Sequence, residues 1–349
     1  MHSGKPTQEI PMWRVFLIMG IGLSAIGFSP VLVRFASDSS PFLLAVVRTL
    51  TAYIVLLPFY YWYRRKTFRD TQGSSSEIKG VQSEITKQFW WMALAGASLG
   101  LHLIAWISSI YFTSIASASV LVTIHPILLI LVERIAFKYR FQWTVWVGVF
   151  IAFIGSIILG FSDQAAEGMY PNPVLGNALA VLAAIIFAVY FLVGNRIRQQ
   201  TSWIEYVVPV YGWAAATAFI VLFALYGAAH WGWINASDSV LLKGIVASVS
   251  GESLGLRELL NPSLLWVGVA LALGPQIIGH GSLNYAVKFV SPTLLSTLIL
   301  FEPVLSSVVA FIIFGEVPLF WSLIGMGVIF LGILLTWLKN PDNQALEGL

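Results

Sequence analysis

Apolar residues in this chain run in long blocks separated by short polar segments. Ten such blocks can be drawn, at 13–36, 41–62, 89–112, 114–136, 143–161, 174–194, 203–226, 263–286, 292–314 and 318–338. Each is close to the ~20 residues that a helix needs to cross ~30 Å of hydrocarbon. Tyr60, Tyr61, Trp62, Trp90, Trp91, Trp143, Trp203, Trp266, Trp321 and Trp337 stand at block ends, where amphipathic rings anchor a helix at the interface. The block from Trp13 to Ala36 is too long for the apolar core of a signal peptide, so it is expected to be an uncleaved first helix.

Two blocks match each other. Ser114–Tyr139 superposes without a gap on Ser291–Glu316, with Pro126 and Pro303 separated by 177 positions, as are Gly148 and Gly325, and Gly155 and Gly332. His125 therefore falls on Glu302, each immediately before its proline. A charge at mid-span costs roughly 2.5–3.5 kcal/mol on insertion scales, so it faces a bundle interior or a watery cavity. Two similar membrane-embedded halves with a polar-proline step in the same helix suggest a carrier with internal repeats.

Composition excludes the soluble classes. The 349 residues are 58% hydrophobic and 10% charged, with a mean hydropathy of +0.83, against roughly 25% charged in a soluble domain. The pI of 9.0 rests on a net charge of only +3 and reflects topology, with no nucleic-acid partner expected. With the N-terminus in the cytoplasm, only Lys243 and Arg257 of the 19 Lys and Arg fall outside, and Arg34 and Arg48 fall within blocks. That asymmetry places both termini in the cytoplasm. Five blocks per half is an odd number, so the second half enters the membrane inverted. The expected fold is an all-α integral membrane protein with ten transmembrane helices in two inverted five-helix repeats, 13–161 and 174–338. No cysteine is present, which excludes disulfides and thiolate chemistry.

Two connecting segments are longer than the rest. Arg64–Lys87 is basic and carries Gly-Ser-Ser-Ser-Glu, the composition of a solvated cytoplasmic linker. Gly227–Pro262 is external, contains the apolar VLLKGIVASV and includes a glycosylation-type sequon at Asn235–Ser237.

Candidate chemistry lies at helix breaks and polar positions inside the blocks. Pro30, Pro126, Pro209, Pro275 and Pro303 are interior. Each removes a helical hydrogen bond and leaves a carbonyl about four residues earlier to be satisfied by protein, water or ligand. Gly274-Pro275-Gln276, followed by His280, is the strongest candidate for a broken helix beside a cavity; Pro126 and Pro303 are the matched breaks. Glu302, His125, Arg48, His280, Asn284, His102 and Trp106 are the candidates for a substrate or coupling-ion path, with Tyr285 as an aromatic wall. Arg48 has two structural alternatives, a static pair with Glu302 or a side chain that snorkels outward. Arg34 and Glu133 read as interfacial. Gly96–Gly100, Ala93–Ala97 and Gly148–Ala152 have the small-xxx-small spacing of close helix packing.

Phosphate loops, HExxH, nucleophile elbows and paired-carboxylate signatures are missing from the sequence, so no enzyme activity, cofactor or metal is expected. Three stretches carry a family resemblance: GHGSLNYAVKFVSPTLLSTLILFEPVLSSVVAFIIFGE with the following GMGVIFLG, SPFLLAVVRTLTAYIVLLP with Arg48, and HPILLILVE with its Gly148–Gly160 continuation. They resemble the EamA-like family of the drug/metabolite transporter superfamily, from Trp13 to Trp337. Tyr139 stands where the family usually has the glutamate equivalent to Glu316. The resemblance implies a ten-helix inverted-repeat carrier for a small organic metabolite. Together with the Arg, Glu, His and aromatic candidates, it leads to an expected secondary transporter of a small polar metabolite such as an amino acid. The carrier is expected to act as exporter or exchanger, by alternating access, in the cell (inner or plasma) membrane. A non-transporting membrane scaffold or sensor and an intramembrane enzyme are the alternatives. Expected partners are a small-molecule substrate and the lipid bilayer, with a homodimer left open.

Overall fold

Prolines decide where the apolar blocks bend. The computed structural model describes residues 11–36, 39–70, 75–113, 115–136, 138–162, 172–231, 261–314 and 320–338, which are helical with no strand among them. The first block is split into α1 (Met12–Gly27) and α2 (Ser29–Arg34), the fourth into α5 (Ile115–Val122) and α6 (His125–Ile135), and the ninth into α12 (Pro292–Ile299) and α13 (Glu302–Phe314). In each case a polar-proline pair opens the second piece: Ser29-Pro30, His125-Pro126 and Glu302-Pro303. Proline suits a first helical turn because its fixed φ is helical and its missing N–H would have had no partner there.

The eighth block is interrupted differently. α10 (Pro262–Leu271) passes into a π-helical segment, Ala272–His280, and then into α11 (Gly281–Ala286). Pro275 lies within the π segment, so the ladder widens around the missing donor instead of opening. Pro209 causes no break, because α9 (Trp203–His230) runs through it. The continuous helices are α3 (Pro41–Asp70), α4 (Ser75–Phe112), α7 (Trp143–Ser162), α8 (Pro173–Arg198), α9 and α14 (Phe320–Leu338).

The solvated linker expected at Arg64–Lys87 is largely helix. α3 continues to Asp70 and α4 already begins at Ser75. The serine-rich run sits at a helix start, a position that serine favours, and the Glu, Lys and Gln that follow are good helix formers. The VLLKGIVASV stretch, the Asn235–Ser237 sequon and Glu316 lie outside the described residues.

Among the described residues, eight stretches are long and apolar enough to cross a membrane; Trp143–Ile158 and Leu323–Trp337 are apolar but shorter. The polarity is that of a membrane protein: large apolar side chains such as Val174, Ile312 and Ile220 face outward, while Arg48, His102, His125, Gln276, His280 and Glu302 are buried. In hydrocarbon there is no water to pair with polar groups, so they collect inside the bundle.

Close approach fixes the packing of α7 on α14. A Cβ at Gly155 would fall 2.6 Å from the Ile329 nitrogen and 2.8 Å from the Gly325 oxygen, and one at Gly148 would fall 2.7 Å from the Gly332 oxygen. Contacts that descend along one helix as they climb along the other make the pair antiparallel. Through the 177-residue match, each of Gly148 and Gly155 meets the counterpart of the other. Gly96 and Gly100 do similar service where α4 meets α9: Cβ atoms there would press on the Val210 and Ala214 carbonyls at 2.6 and 2.7 Å.

Candidate functional site

The three broken helices converge on one cavity. Its walls include Ile26 and Ser29 at the first break, Val122 and His125 at the second, and Ile299 and Glu302 at the third. At each break the cavity is thus lined by the residue that precedes proline and by the residue four positions before proline, whose carbonyl proline leaves without its usual donor. Arg48 from α3, His102, Leu103 and Trp106 from α4, Phe187 from α8, Pro275 and His280 from the π segment and Leu283 from α11 complete it. Space for the centre of a water molecule amounts to about 40 Å³, where one water needs roughly 10–15 Å³. The cavity is therefore a narrow one, with room for a few waters.

His125 repairs the break at which it stands. Its Nδ1 lies 2.8 Å from the Val122 carbonyl, the acceptor that Pro126 cannot serve. Since a carbonyl only accepts, Nδ1 carries the proton and Nε2 is left as an acceptor, buried and without a partner among the described residues. The ring packs against Phe187 at 4.7 Å. Glu302 holds the equivalent place before Pro303, yet no side chain donates to the Ile299 carbonyl among the described residues.

The other histidines share the same aromatic. His102 donates from Nδ1 to the Ala183 carbonyl at 2.9 Å, which fixes its tautomer as the carbonyl fixes that of His125. Phe187 lies 5.0 Å from the His102 ring and 6.2 Å from that of His280, and the two imidazoles are 6.4 Å apart. Among the described residues no group of three His, Cys, Asp or Glu is arranged to hold a metal ion.

Arg48 neither snorkels nor pairs with Glu302. It is 1% exposed, and its Nε donates to Gln276 Oε1 at 2.8 Å while Nη1 donates to Ser29 Oγ at 3.3 Å. The Trp106 ring centroid lies 5.9 Å from the guanidinium carbon. Among the described residues no ion pair joins Arg48 to a carboxylate, although Glu302 lines the same cavity.

Six of the seven expected path residues, Glu302, His125, Arg48, His280, His102 and Trp106, line this cavity together with Pro275. Asn284 does not line it. It stands behind His280, donating from Nδ2 to the His280 carbonyl at 2.8 Å and to the Tyr190 hydroxyl at 2.6 Å, and its backbone carbonyl accepts from Arg198 Nε at 2.7 Å. Tyr285 lies outside the cavity too, its ring 5.4 Å from that of Phe289. Glu133 is buried, not interfacial, and accepts a hydrogen bond from Thr293 that ties α6 to α12.

Sequence reasoning passed over Phe187 and Ser29. Phe187 carried no polar signal among the many aromatics of the chain, and only its place among three histidines reveals it. Ser29 was legible in principle, since Ser29-Pro30 repeats the polar-proline step of His125-Pro126 and Glu302-Pro303.

Comparison with known proteins agrees with this architecture. A crystal structure with 19% sequence identity matches 93% of this chain and 98% of its own with a TM-score of 0.62, which bears on the fold alone. The uncharacterized transporter YdfC of Bacillus subtilis (strain 168) is 25% identical over 228 residues, 65% of this chain and 64% of that protein. An uncharacterized transporter of Archaeoglobus fulgidus is 22% identical over 303 residues, 87% of this chain and 90% of its own. The family model of the EamA-like transporter family matches residues 12–161 and 174–338. The cavity is thus built from helices of both matched segments, and the chain is a multi-pass membrane protein belonging to the EamA-like transporter family.

Proposed function

We propose that the chain is a secondary transporter that moves a small polar organic metabolite, such as an amino acid, across the cell membrane by alternating access, as an exporter or exchanger. The carrying observation is the cavity itself. Arg48, Glu302 and three histidines are buried together where three helices break, an arrangement whose cost in hydrocarbon is offset when the groups serve a solute path. In this reading Trp143–Ile158 and Leu323–Trp337 also span the bilayer, giving ten spans in two inverted repeats, 13–161 and 174–338, with both termini cytoplasmic. The antiparallel, reciprocal packing of Gly148 and Gly155 on Gly332 and Gly325 supports the inversion, since a two-fold relation makes each residue meet the other's counterpart.

Alternating access needs a seal that forms at one end and opens at the other. The Thr293–Glu133 hydrogen bond joins the two halves near Lys138 and Arg140, the cytoplasmic end in this topology. At the repeat-equivalent positions both residues are alanine, Ala116 and Ala310. The polar latch is thus one-sided, which supports a state closed toward the cytoplasm.

The test is counterflow in proteoliposomes with a panel of radiolabelled amino acids, organic cations and sugars, after a thermal-stabilisation screen of the same compounds. A ligand that binds only the folded state stabilises it by RT ln(1 + [L]/Kd). Saturable counterflow of at least one compound is expected; stabilisation without flux for any compound would support a sensor instead.

A further inference from the structure

Cations and aromatic rings are paired along one end of the bundle. Arg14 lies 5.4 Å from the Trp13 ring centroid, Arg64 5.8 Å from that of Tyr60, Lys66 Nζ 5.6 Å from that of Trp62 and Arg196 5.4 Å from that of Trp91. All four pairs stand at the end that the proposed topology puts in the cytoplasm. The Arg196–Trp91 pair lines a second cavity, with Gln88, Ile197 and Gln200. Space for the centre of a water molecule amounts to about 130 Å³ there, against about 40 Å³ in the central cavity. Gln88 and Trp91 come from α4, Arg196 and Ile197 from α8 and Gln200 from the turn that follows, so this cavity joins the two matched segments. Gln88 donates from Nε2 to Gln200 Oε1 at 3.0 Å, which leaves two amide N–H donors on Gln200 and one on Gln88. Arg196 meets no carboxylate among the described residues. A cation with surplus donors is the complement of an anion. Toward mid-membrane the surface turns apolar. With 3.6 residues per turn, Val189, Ile185 and Leu182 share the face of α8 that carries Arg196, and all three are exposed.

We infer that this cavity binds the headgroup of an anionic phospholipid of the cytoplasmic leaflet, with the phosphate on Arg196 and the amides of Gln88 and Gln200 and an acyl chain along Val189, Ile185 and Leu182. The Trp91 face holds the guanidinium by a cation–π contact, which leaves its fork of N–H donors for phosphate oxygens. A soluble phosphate could use those donors but would gain nothing from the apolar stripe, whereas a phospholipid matches both. Anionic headgroups are supplied to basic pockets between membrane helices on the cytoplasmic side. Because the contacts come from α4 and from α8 with its turn, the bound lipid holds the first matched segment against the second. A ligand that binds only this folded arrangement stabilises it.

The experiment uses the full-length protein in detergent micelles, titrated with phosphatidylglycerol or with phosphatidylcholine of the same acyl chains. Bound lipid is counted by native mass spectrometry, and melting curves are recorded beside it. For the wild type, phosphatidylglycerol is expected to bind roughly five- to tenfold more tightly and to raise the melting temperature, the discrimination that one interfacial cation provides. In Arg196→Gln that ratio falls toward one. Gln200→Glu, which sets a carboxylate beside Arg196, should do the same, and it decides alone if Arg196→Gln does not fold. Arg14→Gln removes a cation at the same interface but outside the cavity and should leave the ratio unchanged; an equal loss there would mean diffuse attraction to a basic surface and overturn the site. Equal binding of the two lipids, or a ratio that survives both cavity variants, would overturn it as well. Inorganic phosphate should give no such stabilisation, and a matching shift would reassign the cavity to a soluble anion. No flux is read in any arm, so failure of this site leaves the transport reading standing, and failure of transport leaves the site.

Discussion

The hydrogen bond from His125 to the Val122 carbonyl makes a prediction that links sequence chemistry to stability. Pro126 deprives that carbonyl of its usual N–H, and the imidazole supplies the substitute. Replacing His125 with Ala leaves a buried carbonyl without its donor, at about 1–3 kcal/mol. It also removes a ring packed 4.7 Å from Phe187, worth about 0.5–1.5 kcal/mol. The single variant should therefore lose about 2–4 kcal/mol. In a Pro126→Ala background the backbone N–H returns and can take over the carbonyl, so His125→Ala should then cost only the packing part. The coupling in this double-mutant cycle should be about 1–3 kcal/mol. The assay is reversible unfolding of the purified protein in mixed micelles, with melting curves beside it. Additivity to within about 0.5 kcal/mol would refute the idea that the histidine substitutes for the proline's missing donor.

Three further outcomes follow from the packing and the proposed topology. Gly155→Val should destabilise the protein by at least about 1–3 kcal/mol, because its Cβ would meet backbone atoms of α14 2.6–2.8 Å away; a melting temperature equal to that of wild type would contradict the packing of α7 on α14. Thr293→Val should remove the latch to Glu133 and raise labelling of a single cysteine placed at Ser29 from the cytoplasmic side, measured in inside-out vesicles; unchanged labelling would exclude a gating role. In intact cells single cysteines at Ser75 and Asn343 should resist an impermeant thiol reagent while one at Ser237 reacts, and the reverse pattern would invert the topology. The last two need no prior removal of native cysteines, because the chain has none.

Much of the site was legible because insertion into a bilayer restricts where polar residues are placed. Glu302 and His125 stood out as polar residues ahead of matched prolines, and both line the cavity. Arg48 was visible as a charge inside a block, but its partners were not. Gln276 lies 228 residues away, and which of several polar residues meets it depends on the register of α3 against the π segment, which no local pattern encodes. Asn284 looked like a path residue because it follows His280 by one helical turn. One turn along a helix also displaces a side chain by about 5.4 Å along the axis, and here that puts Asn284 against Tyr190 behind the cavity. Glu133 sat close enough to a block end to read as interfacial, and its burial comes from Thr293 on a helix 160 residues distant. The Arg64–Lys87 segment misled by composition: serines that suit a linker equally suit the start of a helix.

The central claim is that the cavity between the broken helices is the transport site, and the most direct measurement is flux through Glu302→Gln in proteoliposomes, paired with its melting curve. Glu302 has no bond to Arg48 to lose, so the account predicts a melting temperature close to that of wild type with flux severely reduced. Undiminished flux would contradict it and remove Glu302 from the path. A collapse of stability that is rescued by also neutralising Arg48 would contradict it too, by revealing a static charge pair.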